Sequence, residues 1–409
     1  MNLGNDLVIS GVGQADDTAL LANDIYKLRN ILHLVLDYCT KFNVTLSPGK
    51  TKLMQIGGNH TDVIFNPLKI DNTEIKFVTE AEHVGVLRSI DGNLPNIMNR
   101  IISHKGALNA VLSCGLAQGR RANPTASLRV LQLYSAPVLL SGLASLVLSE
   151  TELTHVDLHY KDTVLNLQKL IPRTPAPVVF FLAGSLSGKA LPHLRQLALF
   201  SMLTRLPHDI LNQRARYALT ALKPSSKSWF TQVRDICLHY VLPHPLSLLD
   251  NPPQKETFKK LAKSRVIDYW EKKLRAESSS LDSLQFFKPD FMSLTKPHQL
   301  WLSAGSNPYE VSKAVIQARF LSARYRSEEI CRHWSSNVNG FCQTGSCTNT
   351  VESIEHILIT CPTNSVTRDR LKMLWLTSSD PVIRDIASKA LSGPPKLLLQ
   401  FLLDCIYQL

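Results

Sequence analysis

The chain is 409 residues long and 44% hydrophobic, enough to bury the cores of about two or three domains and too apolar for wholesale disorder. Its eight cysteines are too sparse for a disulfide scaffold, and its longest apolar stretch, Val138 to Leu148, is too short and too broken by Ser and Gly to span a bilayer. The net charge is +12, yet residues 1–90 hold 8 Lys+Arg against 10 Asp+Glu, so the basic excess lies wholly downstream, where it suits a phosphate backbone and equally suits plain solubility.

Met1 to Asp6 lacks the basic start and apolar run of a secretory signal. Together with the sparse cysteines this predicts a cytosolic or nuclear chain, not a secreted one. Apolar Leu7-Val8-Ile9, then Gln14-Ala15-Asp16-Asp17, then apolar Ala19-Leu20-Leu21 predicts a β-hairpin with carboxylates at its tip. Two adjacent aspartates there suit Mg²⁺ ions that handle phosphates, one side chain facing the metals and the other bracing the turn. A plain solvated acidic turn is the competing reading. A full site needs another carboxylate from a separate strand, and Asp6 is too close to supply it. Asn23-Asp24 makes a good N-cap, after which Ile25, Leu28, Leu32, Val35, Leu36 and Cys39 recur at helical spacing to about Phe42. A Pro48-Gly49 turn leads through Lys50-Thr51-Lys52 into a strand. A second short strand follows near Ile75 to Val78, and then comes His83-Val84-Gly85-Val86.

In order and spacing these segments resemble the end of the palm of non-LTR (LINE-like) retrotransposon reverse transcriptases. Gln14-Ala15-Asp16-Asp17 resembles the family's YADD or FADD box, with Gln14 in place of the usual aromatic residue. The helix and Lys50-Thr51-Lys52 resemble the motif that follows. His83-Val84-Gly85-Val86 resembles the YLG-type strand that leads into the thumb. The resemblance implies that Asp16 and Asp17 bind Mg²⁺ and that Lys50 sits near an incoming nucleotide; an exposed basic turn is the plainer reading of Lys50. It also implies that the fingers and the first catalytic aspartate lie upstream of Met1. The chain alone is then expected to be inactive, RNA-templated DNA synthesis requiring the missing polymerase half from a longer product or a partner.

Residues 94–242 read as helical and resemble the family's thumb and linker region. One helix starts at Ile97, Ile101 and Ile102, and another has Pro124 near its start and Pro137 to kink or end it. Glu152 to Leu170 forms a third, and Leu191 to Phe200 a fourth. Phe180-Phe181-Leu182-Ala183-Gly184 reads as core and turn. Arg100, Lys105, Arg120, Arg121, Lys169, Arg173 and Arg195 are candidate phosphate contacts, or simply the solvated faces of amphipathic helices.

The Pro-dense segment 243–256 predicts an extended linker. A basic helical region, 257–330, follows with Lys259, Lys260, Lys263 and Arg265, then Tyr269-Trp270 and Lys272-Lys273. Cations interleaved with rings suit a nucleic-acid strand, while Phe258, Leu261, Ile267, Trp270 and Leu274 more simply form a packing face. Arg319, Arg324 and Arg326 add positive charge on the next helix.

The last region, 331–409, carries Cys342, Cys347, His356 and Cys361 in the spacing C-x4-C-x8-H-x4-C. Three thiolates and an imidazole make a closed tetrahedral Zn²⁺ site, with Cys331 and His333 as possible substitute ligands. Two reduced surface cysteines beside a core His–Cys pair is the alternative. Ser353 to Thr360 reads as a short helix presenting His356 inward. This stretch resembles the C-terminal CCHC-like segment of the same retrotransposon enzymes, with Glu355-His356-Ile357-Leu358 and Cys361-Pro362 as its signature. Cys39, Cys114, Cys237 and Cys405 read as apolar positions.

The expected class is therefore α+β: a truncated polymerase palm in residues 1–93, a mainly α-helical thumb and linker, and a small zinc-knuckle-like module. RNA and DNA are the expected partners, with no membrane. No P-loop and no Gly-x-Ser-x-Gly elbow occurs in the chain. A non-catalytic nucleic-acid-binding remnant and a decayed element without function remain as alternatives to a polymerase.

Overall fold

The computed structural model describes residues 11–14, 17–57, 67–113, 122–206, 209–221, 227–284, 287–322, 327–331, 337, 339–344, 347, 349–377, 381–393, 398 and 401, and the structural statements that follow concern these. The fold is helix-rich with four small two-stranded sheets, a mixed α+β arrangement. Two compact units divide the chain. One is built from Met1–Ala107, Ser135–Val156 and Lys189–Val266, the other from Leu108–Tyr134, Asp157–Gly188 and Ile267–Leu409.

In the first unit, Gly11–Gln14 pairs antiparallel with Asp17–Leu20 in the register Gln14↔Asp17, Gly11↔Leu20. A hairpin is thus present on either side of the expected acidic tip, while Leu7-Val8-Ile9 and the tip residues Ala15-Asp16 lie outside the described residues. The helix Ile25–Lys41 follows because Asp24 caps it, accepting from the Lys27 backbone N–H at 2.7 Å. That bond, and then the Lys27 side chain, hold the Asp24 carboxyl below its usual range. Ile25, Leu32 and Cys39 recur every seven residues and form the helix's buried stripe. Ile25 and Leu32 pack with Leu53, Leu68, Ile70 and Ile75 as one apolar cluster. The expected strands are there, and Lys52–Leu53 runs parallel to Lys76–Phe77.

Two expectations in this unit are corrected. His83-Val84-Gly85-Val86 is not a strand but the tip of a hairpin, Glu80–His83 paired with Val86–Ser89. Val84 and Gly85 both have positive φ, 50° and 70°. This is the twist that a two-residue hairpin loop requires.

The Pro-dense segment 243–256 is a second correction. It holds a helix, Pro245–Asp250, instead of an extended linker. Pro245 takes the first helical position, where its missing N–H costs nothing. His244 accepts from the Leu246 N–H at 3.3 Å, and Leu248 and Leu249 are buried. Arg216 anchors the end of this helix by donating to the Leu249 carbonyl at 2.8 Å. Pro137 behaves as expected by a specific route: Leu131–Ser135 widens into a π-turn before Ala136–Leu139 resumes. The wider turn makes room for the proline ring against the preceding turn.

The second unit is organised around Ala176–Ala183, a helix in which every residue from Pro177 to Ala183 is buried. It terminates at Gly184 in the left-handed conformation, φ 59°. Trp301 is fully buried nearby and donates its indole N–H to the Gln168 side chain at 3.2 Å. The helix Pro308–Leu321 carries Arg319. Among the described residues no helix is long and apolar enough to cross a membrane.

Candidate metal centre

The Cys/His segment is held by local backbone bonds. Phe341 bridges Val351 antiparallel. The Cys342 N–H donates to the Thr350 carbonyl at 2.9 Å, and the Glu352 N–H to Gly340 at 3.0 Å. The Cys347 N–H donates to the Thr344 carbonyl at 2.8 Å, closing the loop that carries the first two thiols. Ser353 then starts the next turn. Its hydroxyl accepts from the His356 N–H at 3.0 Å, and its carbonyl from the Ile357 N–H at 2.9 Å.

His356–Thr360 is a π-turn, closed by the Cys361 N–H donating to the His356 carbonyl at 2.7 Å. This geometry answers the H-x4-C spacing. In a regular α-helix a residue five positions on lies about 140° around the axis, so His356 and Cys361 would diverge. The i→i+5 bond of a π-turn ties those two residues together directly.

The ligand atoms of Cys342, Cys347, His356 and Cys361 lie within 4.8 Å of one another, and all but Cys342 are buried. The Cys347 and Cys361 sulfurs are 3.8 Å apart. That is too long for a disulfide, which needs about 2.05 Å. It equals the edge of a tetrahedron with metal–sulfur distances of about 2.3 Å, roughly 3.8 Å. His356 Nδ1 lies 3.0 Å from the Thr360 hydroxyl, while Nε2 is buried with no hydrogen-bond partner. A buried ring nitrogen with no hydrogen-bond partner is suited to give its lone pair to a metal. The donor set is soft and closed, which favours zinc over Mg²⁺ or Ca²⁺. The cluster can therefore hold a metal ion such as zinc.

The surrounding groups favour a thiolate at Cys361 but not at Cys347, where the pull of the Thr344 hydroxyl is outweighed by burial and the Cys361 and Cys342 side chains, which raise the thiol. The Thr344 hydroxyl is 2.7 Å from the Cys342 sulfur and 3.8 Å from that of Cys361. Burial pushes the Cys361 thiol up, but the Thr363 backbone N–H and the Thr344, Cys347 and Thr363 side chains outweigh it and bring the thiol to about 7. Arg368 donates to the Cys361 carbonyl at 2.6 Å, fixing the last ligand to the helix Ser365–Leu376. Sequence reasoning missed Thr344, Thr360 and Arg368. The signal for Thr360 is its position four residues after His356, one turn on.

The other predicted residues are placed as follows. Asp17 is exposed at the start of its strand, and Asp16 lies outside the described residues. Among the described residues no carboxylate cluster able to hold a metal forms around Asp17. Lys50 is exposed in the turn where its N–H donates to Ser47 at 3.2 Å. Arg100 is half-buried and Lys105 exposed on the helix Leu94–Val111. Lys259, Lys260, Lys263 and Arg265 are all exposed on the helix Lys255–Ser280, as are Lys272 and Lys273. Arg173 and Arg195 are exposed as well. Lys169 is half-buried and donates to the Ala122 carbonyl at 3.3 Å, and burial followed by the Arg319 charge lowers its pKa. Arg319 donates twice to the Lys169 carbonyl, at 3.1 and 2.8 Å, where the chain leaves its helix at φ 56°. It is thus a structural latch as well as a cation. Cys331 is not one of the four clustered ligands. Arg120, Arg121, Arg324, Arg326, His333, Cys114 and Cys405 lie outside the described residues. Cys39 and Cys237 are buried free thiols, as expected of apolar positions, and burial pushes Cys237 up to about 12.

Comparison with known proteins finds no family model, no curated protein and no solved structure that matches this chain.

Proposed function

We propose that this chain is a zinc-stabilised nucleic-acid-binding protein derived from a LINE-like reverse transcriptase. The observation that carries the reading is the convergence of Cys342, Cys347, His356 and Cys361 into one ligand cluster, at the end of a chain whose hairpin and basic segments follow the order of that family. Support for the binding role comes from the helix Lys255–Ser280, which holds Lys259, Lys260, Lys263 and Arg265 in solvent. Exposed cations of this density attract phosphate through counterion release.

In the parent reaction, RNA-templated DNA synthesis, Asp16 and Asp17 would hold Mg²⁺ and Lys50 would meet the nucleotide. Mg²⁺ chemistry at two aspartates needs a further carboxylate from elsewhere. Primer extension on an RNA template with Mg²⁺ is therefore expected to fail for this chain alone, as for its Asp16→Ala/Asp17→Ala variant. Extension by the native chain but not the variant would replace the binding reading with an active polymerase.

Binding is tested by fluorescence anisotropy with a labelled single-stranded RNA across a salt series. Log affinity should fall linearly with log salt. Lys259→Gln/Lys263→Gln should reduce that slope by about 1 to 1.5, since each single-strand phosphate contact contributes roughly 0.7. Affinity insensitive to salt, or untouched by the double variant, would remove the assignment of this helix to nucleic acid.

A further inference from the structure

The imidazole of His356 is buried and has two nitrogens in different surroundings. Nδ1 lies 3.0 Å from the Thr360 hydroxyl, Nε2 is buried with no hydrogen-bond partner, and the ring offers one nitrogen within 4.8 Å of the cysteine sulfurs. A neutral imidazole carries one N–H and one lone pair, and the bond made by one nitrogen sets the role of the other. From this we infer that Thr360 is a positioning residue, which accepts the Nδ1–H of His356 and so directs the Nε2 lone pair to the metal. The inference deepens the metal-centre reading and rests on it.

Two observations and the chemistry of the ring fit this assignment. Thr360 is exposed, so its hydroxyl hydrogen can turn to water while an oxygen lone pair receives the imidazole proton. The opposite arrangement, Thr360 donating to Nδ1, would place the proton on Nε2 and leave the fourth ligand position without a lone pair. The π-turn His356–Thr360 also sets the two partners against each other. The His356 backbone is held at both ends, by Ser353 at 3.0 Å and by the Cys361 N–H at 2.7 Å. A ring pinned at its backbone and at Nδ1 has little freedom to present the wrong nitrogen. A bond of this kind to the far nitrogen of a metal-bound histidine typically changes metal affinity about 10- to 100-fold.

The experiment uses the full chain loaded with zinc. Long-range ¹⁵N NMR of histidine-labelled protein, with the His356 signals identified by their loss in His356→Gln, reads which nitrogen is metallated. The expected result is zinc on Nε2 and a proton on Nδ1. In parallel, competition with a chromophoric chelator measures zinc affinity. Thr360→Val, which keeps shape and loses the acceptor, should bind zinc about 10- to 100-fold more weakly. Thr360→Ser should stay close to the native value. Far-UV circular dichroism of the zinc-loaded Val variant checks that the chain is still folded. Should that variant unfold, the tautomer in the native chain still decides the question. Zinc on Nδ1, or a Val variant as tight as native, would overturn the role of Thr360 while leaving the metal centre standing. A native chain that takes up no stoichiometric zinc would overturn both.

Discussion

Gly184 ends the buried helix Ala176–Ala183 at φ 59°, and a Cβ built there would sit 2.0 Å from the Lys296 carbonyl carbon and 2.1 Å from its oxygen. The neighbouring His298 N–H donates to the Leu182 carbonyl at 3.0 Å, which keeps the two backbones together. We expect Gly184→Ala to destabilise the protein by ~3 kcal/mol or more, adding left-handed strain to an unavoidable backbone clash. Urea unfolding would read this as a lower midpoint at unchanged slope. His298 supplies a pH-dependent contribution of its own. Its Nδ1 caps the helix Gln299–Ala304 by accepting from the Leu300 N–H at 3.2 Å, and burial pushes its pKa down to about 4. The unfolded histidine titrates near 6.5. Between those values the unfolded chain binds more protons, so stability is fully present above pH 6.5 and is lost as the pH falls towards 4. The loss attributable to His298 is of the order of 3 kcal/mol at most. His298→Asn keeps a capping acceptor. Its stability should match the native chain within ~1 kcal/mol at pH 7 and fall less steeply from pH 6.5 to 4; parallel pH profiles would refute this account.

The helix Lys255–Ser280 shows how an element's burial departs from its sequence pattern. Its buried positions are Phe258, Ala262, Val266, Trp270, Leu274 and Ser278, one every four residues. At 100° per residue each step of four advances about 40°, so the stripe winds around the helix and does not stay on one face. The expected packing face included Leu261 and Ile267, yet Leu261 is 37% exposed while Val266 is 0% exposed. The two positions therefore separate the sequence reading from the packed structure. Val266→Ala should cost about 2 kcal/mol through lost burial and a residual cavity, and Leu261→Ala less than ~1 kcal/mol. A larger cost for Leu261→Ala than for Val266→Ala in chemical denaturation would mean that the helix packs as its periodicity alone suggested. The winding stripe also explains why the lysines are so well exposed. Lys259, Lys260, Lys263 and Arg265 fall in the gaps between buried positions.

At the scale of the whole molecule, the metal centre and the apolar cores are stabilised by different physics. The Cys/His segment is short, is tied mainly by backbone bonds within residues 340–364, and has few buried apolar side chains among its described residues. Metal binding to such a segment is folding free energy. A helix such as Ala190–Thr204 is instead held by buried Leu197, Phe200 and Leu203. We expect chelation of zinc at neutral pH to raise hydrogen exchange across residues 340–370 and to leave residues 190–204 protected. Loss of protection over both stretches together would mean that the metal supports the entire fold. Unchanged protection over 340–370 would mean that the module folds without it.

How much of this was legible in the sequence follows from the range of the forces involved. The Cys₃His cluster was legible because its four ligands lie within 20 residues, and local turns suffice to bring them together. The β-hairpin around Asp16-Asp17 and the helix after Asp24 were legible for the same reason: alternation, turn residues and capping act over a few positions. The prolines of 243–256 misled because proline reports backbone constraint. Whether Leu248 and Leu249 find a core depends on residues elsewhere in the chain. His83 to Val86 misled because its apolar residues suit a strand, while the positive φ of Val84 and Gly85 is imposed by two strands pairing across them. The sequence by itself determined the local elements, the ligand set and the placement of the positive charge. Tertiary structure alone decided which face of each helix is buried and that Arg319 latches a backbone carbonyl. Those outcomes depend on the backbone path and on contacts between distant segments, and neither is written in the spacing of a single stretch.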